Sequence, residues 1–240
     1  MLKLFKFGSG LKNKVVIITG AGRGIGKAAA LLFAEHHARV VIVSRTEKEI
    51  LQVTNQIEEM GKEALPVPAD VSAQAEVSRI IEKTMDRFGR IDVLINNAGV
   101  GLYKSVIETS LEDWDNMMAV NLRGVFLCSK AVLPIMLNQG TGTIINISSG
   151  AGRTGYPNLA AYCTTKFGVL GFTQSLAKEV APQGVKVFAV CPGATNTRMY
   201  QDIFGTTANT LPPEKIAQKI VEVVDGKIRL QPGGVVEVYR

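Results

Sequence analysis

Lys14 to Ala38 reads KVVIITGAGRGIGKAAALLFAEHHA, and the order of its parts decides the fold. The β-branched run VVIIT predicts a short buried strand. Gly20, Gly22, Gly24 and Gly26 predict a tight turn, and the Ala, Leu and Lys residues beyond them predict a helix. A strand that enters a helix through such a turn leaves the first N–H groups of the helix, with their partial positive charge, facing whatever lies above it. Glycine there lets the main chain approach a pyrophosphate closely. The spacing Gly20-x-x-x-Gly24-x-Gly26 departs from the common G-x-G-x-x-G, and an ordinary glycine-rich turn would look similar in isolation. Its place at the head of the chain's first strand–turn–helix unit favours a dinucleotide site.

The alternation continues outward from this unit. RVVIVS (39–44) predicts a strand, EKEILQVTNQIEEMG (47–61) a helix, EALPVPADV (63–71) a strand and AQAEVSRIIEKTMDRFG (73–89) a helix. IDVLINNAG (91–99), GTIINISS (142–149) and VKVFAVCPG (185–193) are three further buried strands, separated by the apolar stretch 111–139 and a helix around Tyr162. PPEKIAQKIVEVVDG (212–226) and GVVEVYR (234–240) add a last helix and a seventh strand. Strands alternating with helices of this length imply a parallel sheet with helices on both faces, an α/β doubly wound architecture. No repeat or linker divides it, so residues 11–240 read as one domain after a loose leader, MLKLFKFGSG (1–10). Ligands of such sheets sit beyond the carboxyl ends of the strands.

Composition excludes several functions. The 27 basic and 21 acidic side chains leave a net charge of +6 scattered along the chain, with no basic block that reads as a nucleic-acid surface. No run of eighteen apolar residues occurs, which argues against a transmembrane helix. Cys128, Cys163 and Cys191 are odd in number and far apart, the pattern of free thiols in a reducing, cytoplasmic setting, and they offer no metal-ligand spacing.

Tyr162-Cys163-Thr164-Thr165-Lys166 places a phenol and an ammonium four residues apart, on one face of the predicted helix. A positive charge beside a phenol stabilises phenolate and lowers its pKa, as a general acid or base requires. A surface Tyr-x-x-x-Lys pair arises often by chance, so the surrounding residues must decide.

They do so through a resemblance. The chain resembles the short-chain dehydrogenase/reductase family in its compact single-domain form, over about residues 11 to 200. The residues that carry the likeness are TGAGRGIG, NNAG (96–99), Asn121 in VNLRG, Ser149 in NISSG, Tyr162 with Lys166, and Pro192-Gly193. It implies a Rossmann fold, hydride transfer between a nicotinamide and a small carbonyl or secondary alcohol, and Tyr162 as general acid/base. It also implies that Lys166 lowers the phenol pKa and holds the nicotinamide ribose, and that Ser149, thirteen residues before the tyrosine, bonds the substrate oxygen in preference to Ser148. Asn121 is implied to hold a water that links Lys166 to solvent; packing is the alternative.

For the cofactor, the resemblance brings Gly20, Gly22, Arg23, Gly24, Ile25 and Gly26 to the pyrophosphate. Asp70 and Val71 border the adenine, Asn97 with Ala98 and Gly99 the adjoining ribose, and Pro192, Gly193, Thr195 and Thr197 the nicotinamide side and phosphates. An acid at the end of the second strand would accept the 2′-hydroxyl of NAD. Ser44 stands there instead, followed by Arg45, while Glu47 and Glu49 fall on the next helix, so Arg45 and Arg23 favour the 2′-phosphate of NADP over NAD.

The substrate is less legible. Met199, Tyr200, Ile203 and Phe204 are candidate lining residues. The ending GKIRLQPGGVVEVYR lacks the glycine-rich close usual in the 3-oxoacyl-acyl-carrier-protein reductases, the nearest pattern within the family. A 3-oxoacyl thioester, another carbonyl, an NAD-dependent alcohol dehydrogenation and a non-catalytic NADP-binding redox sensor all stay open. The apolar helices near 112–130 and 160–180 predict a homodimer or homotetramer. His36 and His37 read as solvated residues and Trp114 as a packing residue.

Overall fold

The computed structural model describes residues 9–239; of the leader read at 1–10, residues 1–8 lie outside the described residues. Seven strands, β1 (Val15–Thr19), β2 (Arg39–Ser44), β3 (Ala64–Pro68), β4 (Val93–Asn96), β5 (Gly142–Ile147), β6 (Val185–Pro192) and β7 (Val235–Val238), form one sheet. All six pairings are parallel, and the order is β3-β2-β1-β4-β5-β6-β7. The order reverses between β1 and β4, which opens a crevice above their carboxyl ends.

Alternate side chains of a strand point to opposite faces, and β1 uses both. Val16 and Ile18 join a core with α1 (Gly24–Glu35), α2 (Glu47–Glu59) and α8 (Pro213–Val224), while Val15 and Ile17 join a second core with α3 (Gln74–Phe88), α5 (Gly124–Gln139) and α6 (Ala160–Val180). Burial on both faces is why the strands read as continuous apolar runs.

Ser110 begins α4 (Leu111–Met118) with a capping box, its hydroxyl accepting from Asp113 N and the Asp113 carboxylate accepting from Ser110 N. A π-helical turn, Ala119–Arg123, joins α4 to α5. The continuous stretch Leu111–Gln139 contains an eighteen-residue window of mean hydropathy 1.5, enough by length and composition to cross a membrane. Arg123 and Lys130 interrupt it, and Met117, Val125, Cys128, Val132 and Met136 are buried in the protein, so it is accounted for as a core helix.

Two buried polar systems tie the layers together. Asn96 Nδ2 donates to Asn146 Oδ1 at 2.8 Å and to Ser129 Oγ at 3.1 Å, and Asn146 Nδ2 donates to Thr173 Oγ1 at 2.9 Å, linking β4, β5, α5 and α6. Asp92 accepts from Val15 N at 2.9 Å, Arg90 Nη2 at 2.6 Å and Lys14 Nζ at 3.0 Å at the opposite end of the sheet from the crevice.

Candidate active site

The crevice is a cleft of about 680 Å³ that runs from Arg45 at one end to Tyr162 and Phe204 at the other. The glycine turn forms its floor. Gly20 and Gly24 have φ of +63° and +56°, values that L side chains rarely adopt. Gly26 is needed for a different reason, since a Cβ there would collide with the Gly20 carbonyl, and the residue is buried off the cleft wall. The expectation that it lines the cofactor site is therefore corrected; it lets α1 pack against the turn. No side chain caps α1, whose N-cap residue is Arg23, and Gly24 and Ile25 in its first turn line the cleft. An uncapped helix start above left-handed glycines suits a pyrophosphate.

The walls carry most of the residues expected from the sequence. Ser44, Arg45, Asp70, Val71, Ala98, Gly99, Pro192, Gly193 and Thr195 all line the cleft. Thr197 caps α7 (Arg198–Phe204) by accepting from Tyr200 N at 3.2 Å, and its methyl would lie 3.2 Å from a Cβ on Gly24, so it faces the turn. Asn97 borders the cleft, but its Nδ2 donates to the Thr19 and Gly20 carbonyls at 2.9 and 3.1 Å. Its amide donor therefore ties the glycine turn to the end of β4.

At the far end of the turn the charges are paired. Arg23 Nη1 lies 3.2 Å from Glu49 Oε1, and Arg45 Nη1 lies 3.9 Å from Asp70 Oδ2. Burial raises the Asp70 carboxyl pKa, but hydrogen bonds from Ser72 N and Oγ, with help from Arg45 and Arg123, bring it below its ordinary value. Glu49 and Thr46, which the sequence did not single out for the site, both line this end.

At the other end, Ser149, Tyr162 and Lys166 line one wall. Lys166 is buried, and its Nζ donates to the Ile147 carbonyl at 3.0 Å while standing 5.6 Å from the Tyr162 ring centroid. Gly99 keeps the path to it open, since a Cβ there would approach Lys166 Nζ to 3.7 Å and Asn121 Oδ1 to 3.3 Å. Burial pushes the Tyr162 phenol up to about 12, against a hydrogen bond from Ser149 that pulls it down, and pushes Lys166 down to about 8. In the protein alone the phenol thus stands above its ordinary value, not below it as its lysine neighbour leads one to expect, because burial disfavours the charged phenolate. Ser149 Oγ accepts from Ala151 N at 3.1 Å, whereas Ser148 Oγ donates to the Lys166 carbonyl at 2.8 Å and is buried.

Asn121 lies behind this wall. Its Oδ1 accepts from Val100 N at 2.8 Å, and its Nδ2 donates to the Val100 carbonyl at 2.8 Å and to Thr165 Oγ1 at 3.2 Å. The side-chain amide therefore anchors the loop after β4 to α6.

The mouth above Tyr162 is aromatic. Tyr200 and Phe204 on α7 have ring centroids 4.6 Å apart, and Tyr103 meets Phe204 edge-on at 5.8 Å. A Cβ on Gly101 would come within 2.5 Å of Ile203 Cδ1, so α7 lies directly on the 100–103 loop. Met199, Tyr200, Ile203 and Phe204 line the cleft as candidate substrate residues; Tyr103 and Tyr156, which join them, sit in loops where no sequence periodicity marks them.

Comparison with known proteins agrees with this geometry. The family model described as short chain dehydrogenase matches residues 14–208. An uncharacterized oxidoreductase of Thermotoga maritima is 42% identical over 216 residues, covering 90% of this chain and 84% of its own. A 3-oxoacyl-[acyl-carrier-protein] reductase of Synechocystis is 45% identical over 194 residues, covering 80% of this chain and 78% of its own. Among solved structures, the 3-ketoacyl-(acyl-carrier-protein) reductase of Brucella melitensis complexed with NADH superposes with a TM-score of 0.89 at 34% identity, covering 95% of this chain and 98% of that one. Levodione reductase superposes with a TM-score of 0.90 at 30% identity, covering 95% of this chain and 96% of that one.

Proposed function

Given that the chain belongs to the short-chain dehydrogenase family and is a nicotinamide-dependent oxidoreductase acting on CH–OH and C=O groups, we propose that it reduces a small carbonyl with NADPH, using Tyr162 as the proton donor. The observation that carries this reading is the convergence of Ser149, Tyr162 and Lys166 on one end of a cleft whose other end is a glycine turn and an uncapped helix.

The nicotinamide, when bound, supplies the hydride. The residues of the chain do the rest. Ser149 and Tyr162 hold the carbonyl oxygen by hydrogen bonds that strengthen as negative charge develops on it. Tyr162 then gives its hydroxyl proton to that oxygen; with its pKa raised, it is protonated at neutral pH and ready to donate. Lys166, held by Ile147, presents its ammonium beside the phenol and toward the ribose, favouring the phenolate left after transfer. Asn121 fixes the loop that carries Gly99 and Val100 in place beneath them.

Arg23 and Arg45 support NADPH as the preferred form, since a guanidinium matches a phosphate through its planar fork of donors. The aromatic mouth supports an apolar carbonyl, and the relatives named as 3-oxoacyl-acyl-carrier-protein reductases support a 3-oxoacyl thioester as the first candidate. Exposed Phe126 and Phe167 support a homo-oligomer, and the three buried thiols support a reducing, cytoplasmic setting. The test is NADPH oxidation, followed by its near-ultraviolet absorbance, against ketones, quinones and 3-oxoacyl thioesters. Turnover of one class supports the reading. Tight NADPH binding with turnover of none favours the redox sensor instead.

A further inference from the structure

We propose that Glu49 sets how strongly the site discriminates between dinucleotides, by competing with a 2′-phosphate for Arg23. This role rests on the dinucleotide reading above and deepens it, because the arginines alone would make the site simply selective for the phosphate.

Glu49 is the third residue of α2, beside Ile50, which is buried in the core under β2. That placement turns the Glu49 side chain to the edge of the helix that faces the glycine turn. Its Oε1 lies 3.2 Å from Arg23 Nη1. Its Oε2 lies 2.9 Å from the point where a Cβ on Gly22 would stand, and Ser44 Oγ lies 3.2 Å from the same point. The carboxylate therefore occupies the space between Gly22 and the end of β2, where a dinucleotide of this family places its adenosine 2′ position. Arg45 leans the other way, toward Asp70. The cations Arg23 and Arg45 are thus matched by the carboxylates Glu49 and Asp70, and the formal charge of the four is zero.

Two ligands meet this arrangement differently. A 2′-hydroxyl can donate to Glu49 and leave its pair with Arg23 intact. A 2′-phosphate must draw Arg23 away from Glu49 and then sit beside a carboxylate of its own sign. Glu49 thereby does from α2 what an acid at Ser44 would do from β2, and the native protein binds both dinucleotide forms with only a narrow preference for the phosphate. The pair is partly exposed, so water and salt temper its strength.

The test measures binding of the adenosine fragments 2′,5′-ADP and 5′-AMP to the whole protein by calorimetry, without turnover. Glu49→Gln is expected to raise the ratio of 2′,5′-ADP to 5′-AMP affinity about two- to fivefold, less at high salt. Glu47→Gln, which removes a charge from the exposed first residue of the same helix, is expected to leave the ratio unchanged. In an Arg23→Ala background the Glu49→Gln effect is expected to shrink, as coupled residues require. An unchanged ratio in Glu49→Gln, an equal rise in Glu47→Gln, or an undiminished effect without Arg23 overturns the proposal. A native protein that binds 5′-AMP far better than 2′,5′-ADP, with Glu49→Gln reversing that order, supports Glu49 while removing the NADPH preference. A protein that binds neither fragment removes both readings.

Discussion

Lys166 Nζ donates to the Ile147 main-chain carbonyl at 3.0 Å, which fixes a buried ammonium at the end of β5, two residues before Ser149. The carbonyl accepts one of its three N–H donors, and burial makes the charged form costly enough to bring its pKa down to about 8.

That shift has a sign in stability. Between about 8 and the ordinary lysine value of 10.5, the unfolded chain keeps a proton that the folded chain has lost. Unfolding then takes up a proton, so the contribution of Lys166 to stability rises with pH across this window, by at most about 1.4 kcal/mol per pH unit. Lys166→Met lacks this rise. Denaturant midpoints of both proteins across the window are expected to show the native chain gaining on the variant as pH increases. A difference that stays constant would mean that the lysine is not desolvated as the structure has it.

Asp92 gives a slope of the same sign in the acid range, since its pKa too is lower in the folded chain than in the unfolded one. Burial raises its pKa, but hydrogen bonds from Arg90, Val15 N and Lys14 outweigh that and hold the carboxyl below its ordinary value. Its stabilisation is present above the unfolded carboxylate value and is lost as pH falls through the folded one. Asp92→Asn is expected to cost about 2–3 kcal/mol at neutral pH, from a buried acceptor weakened and three donors left poorly paired. Lys14 and Arg90 are partly exposed and regain water, which keeps the loss at this level. Equilibrium urea unfolding measures it, and a loss below about 0.5 kcal/mol would contradict the account.

The fold was readable because the strands are short apolar runs, β1, β5 and β6 closed within a few residues by glycine or proline, and helix-forming stretches separate them. Gly20, Ser149, Tyr162 and Lys166 were singled out by the family resemblance, and all four line one cleft. What the sequence hid was orientation. Nothing in VVIVSRTEKE says that Glu49 turns back to Arg23, because that depends on how α2 lies against α1. Asn97 reads as a ribose contact, and nothing in the sequence shows that its amide also reaches the Thr19 and Gly20 carbonyls. The Tyr162 phenol reads as lowered by its lysine neighbour, because proximity is visible in a sequence and burial is not. Tyr103 and Tyr156 occupy loops, where no period predicts which way a ring points.

The outer faces of α5 and α6 point to assembly. Phe126 and Phe167 are 45% and 47% exposed, large apolar areas to leave in water on two neighbouring helices. Phe126 meets Phe172 edge-on at 6.4 Å, and Lys130 Nζ lies 5.6 Å above its ring. We expect a dimer or tetramer by light scattering at micromolar concentration, and Phe167→Glu is expected to shift it toward monomer with the fold retained by circular dichroism. A native monomer would remove this reading.

Tyr162→Phe tests the chemistry most directly. The ring, which is partly open to the cleft, stays in place and only the hydroxyl is lost. The rate of carbonyl reduction is expected to fall by about 10²–10⁴-fold, the range for a positioned general acid, while the dissociation constant for NADPH changes little. Lys166→Ala is expected to weaken both, since it removes a cation that faces the cofactor end and the phenol together. The protonation state can be checked without substrate. With the phenol near 12 in the protein alone, the ultraviolet difference between native and Tyr162→Phe protein is expected to show no phenolate signal below about pH 11. In the oxidation direction the phenol must first lose its proton to act as base, so kcat/KM for an alcohol is expected to rise with pH. Its apparent pKa belongs to the coupled Tyr162 and Lys166 and moves upward when Lys166 is replaced. A Tyr162→Phe protein that keeps near-native turnover, with NADPH binding intact, would show that the proton comes from another group.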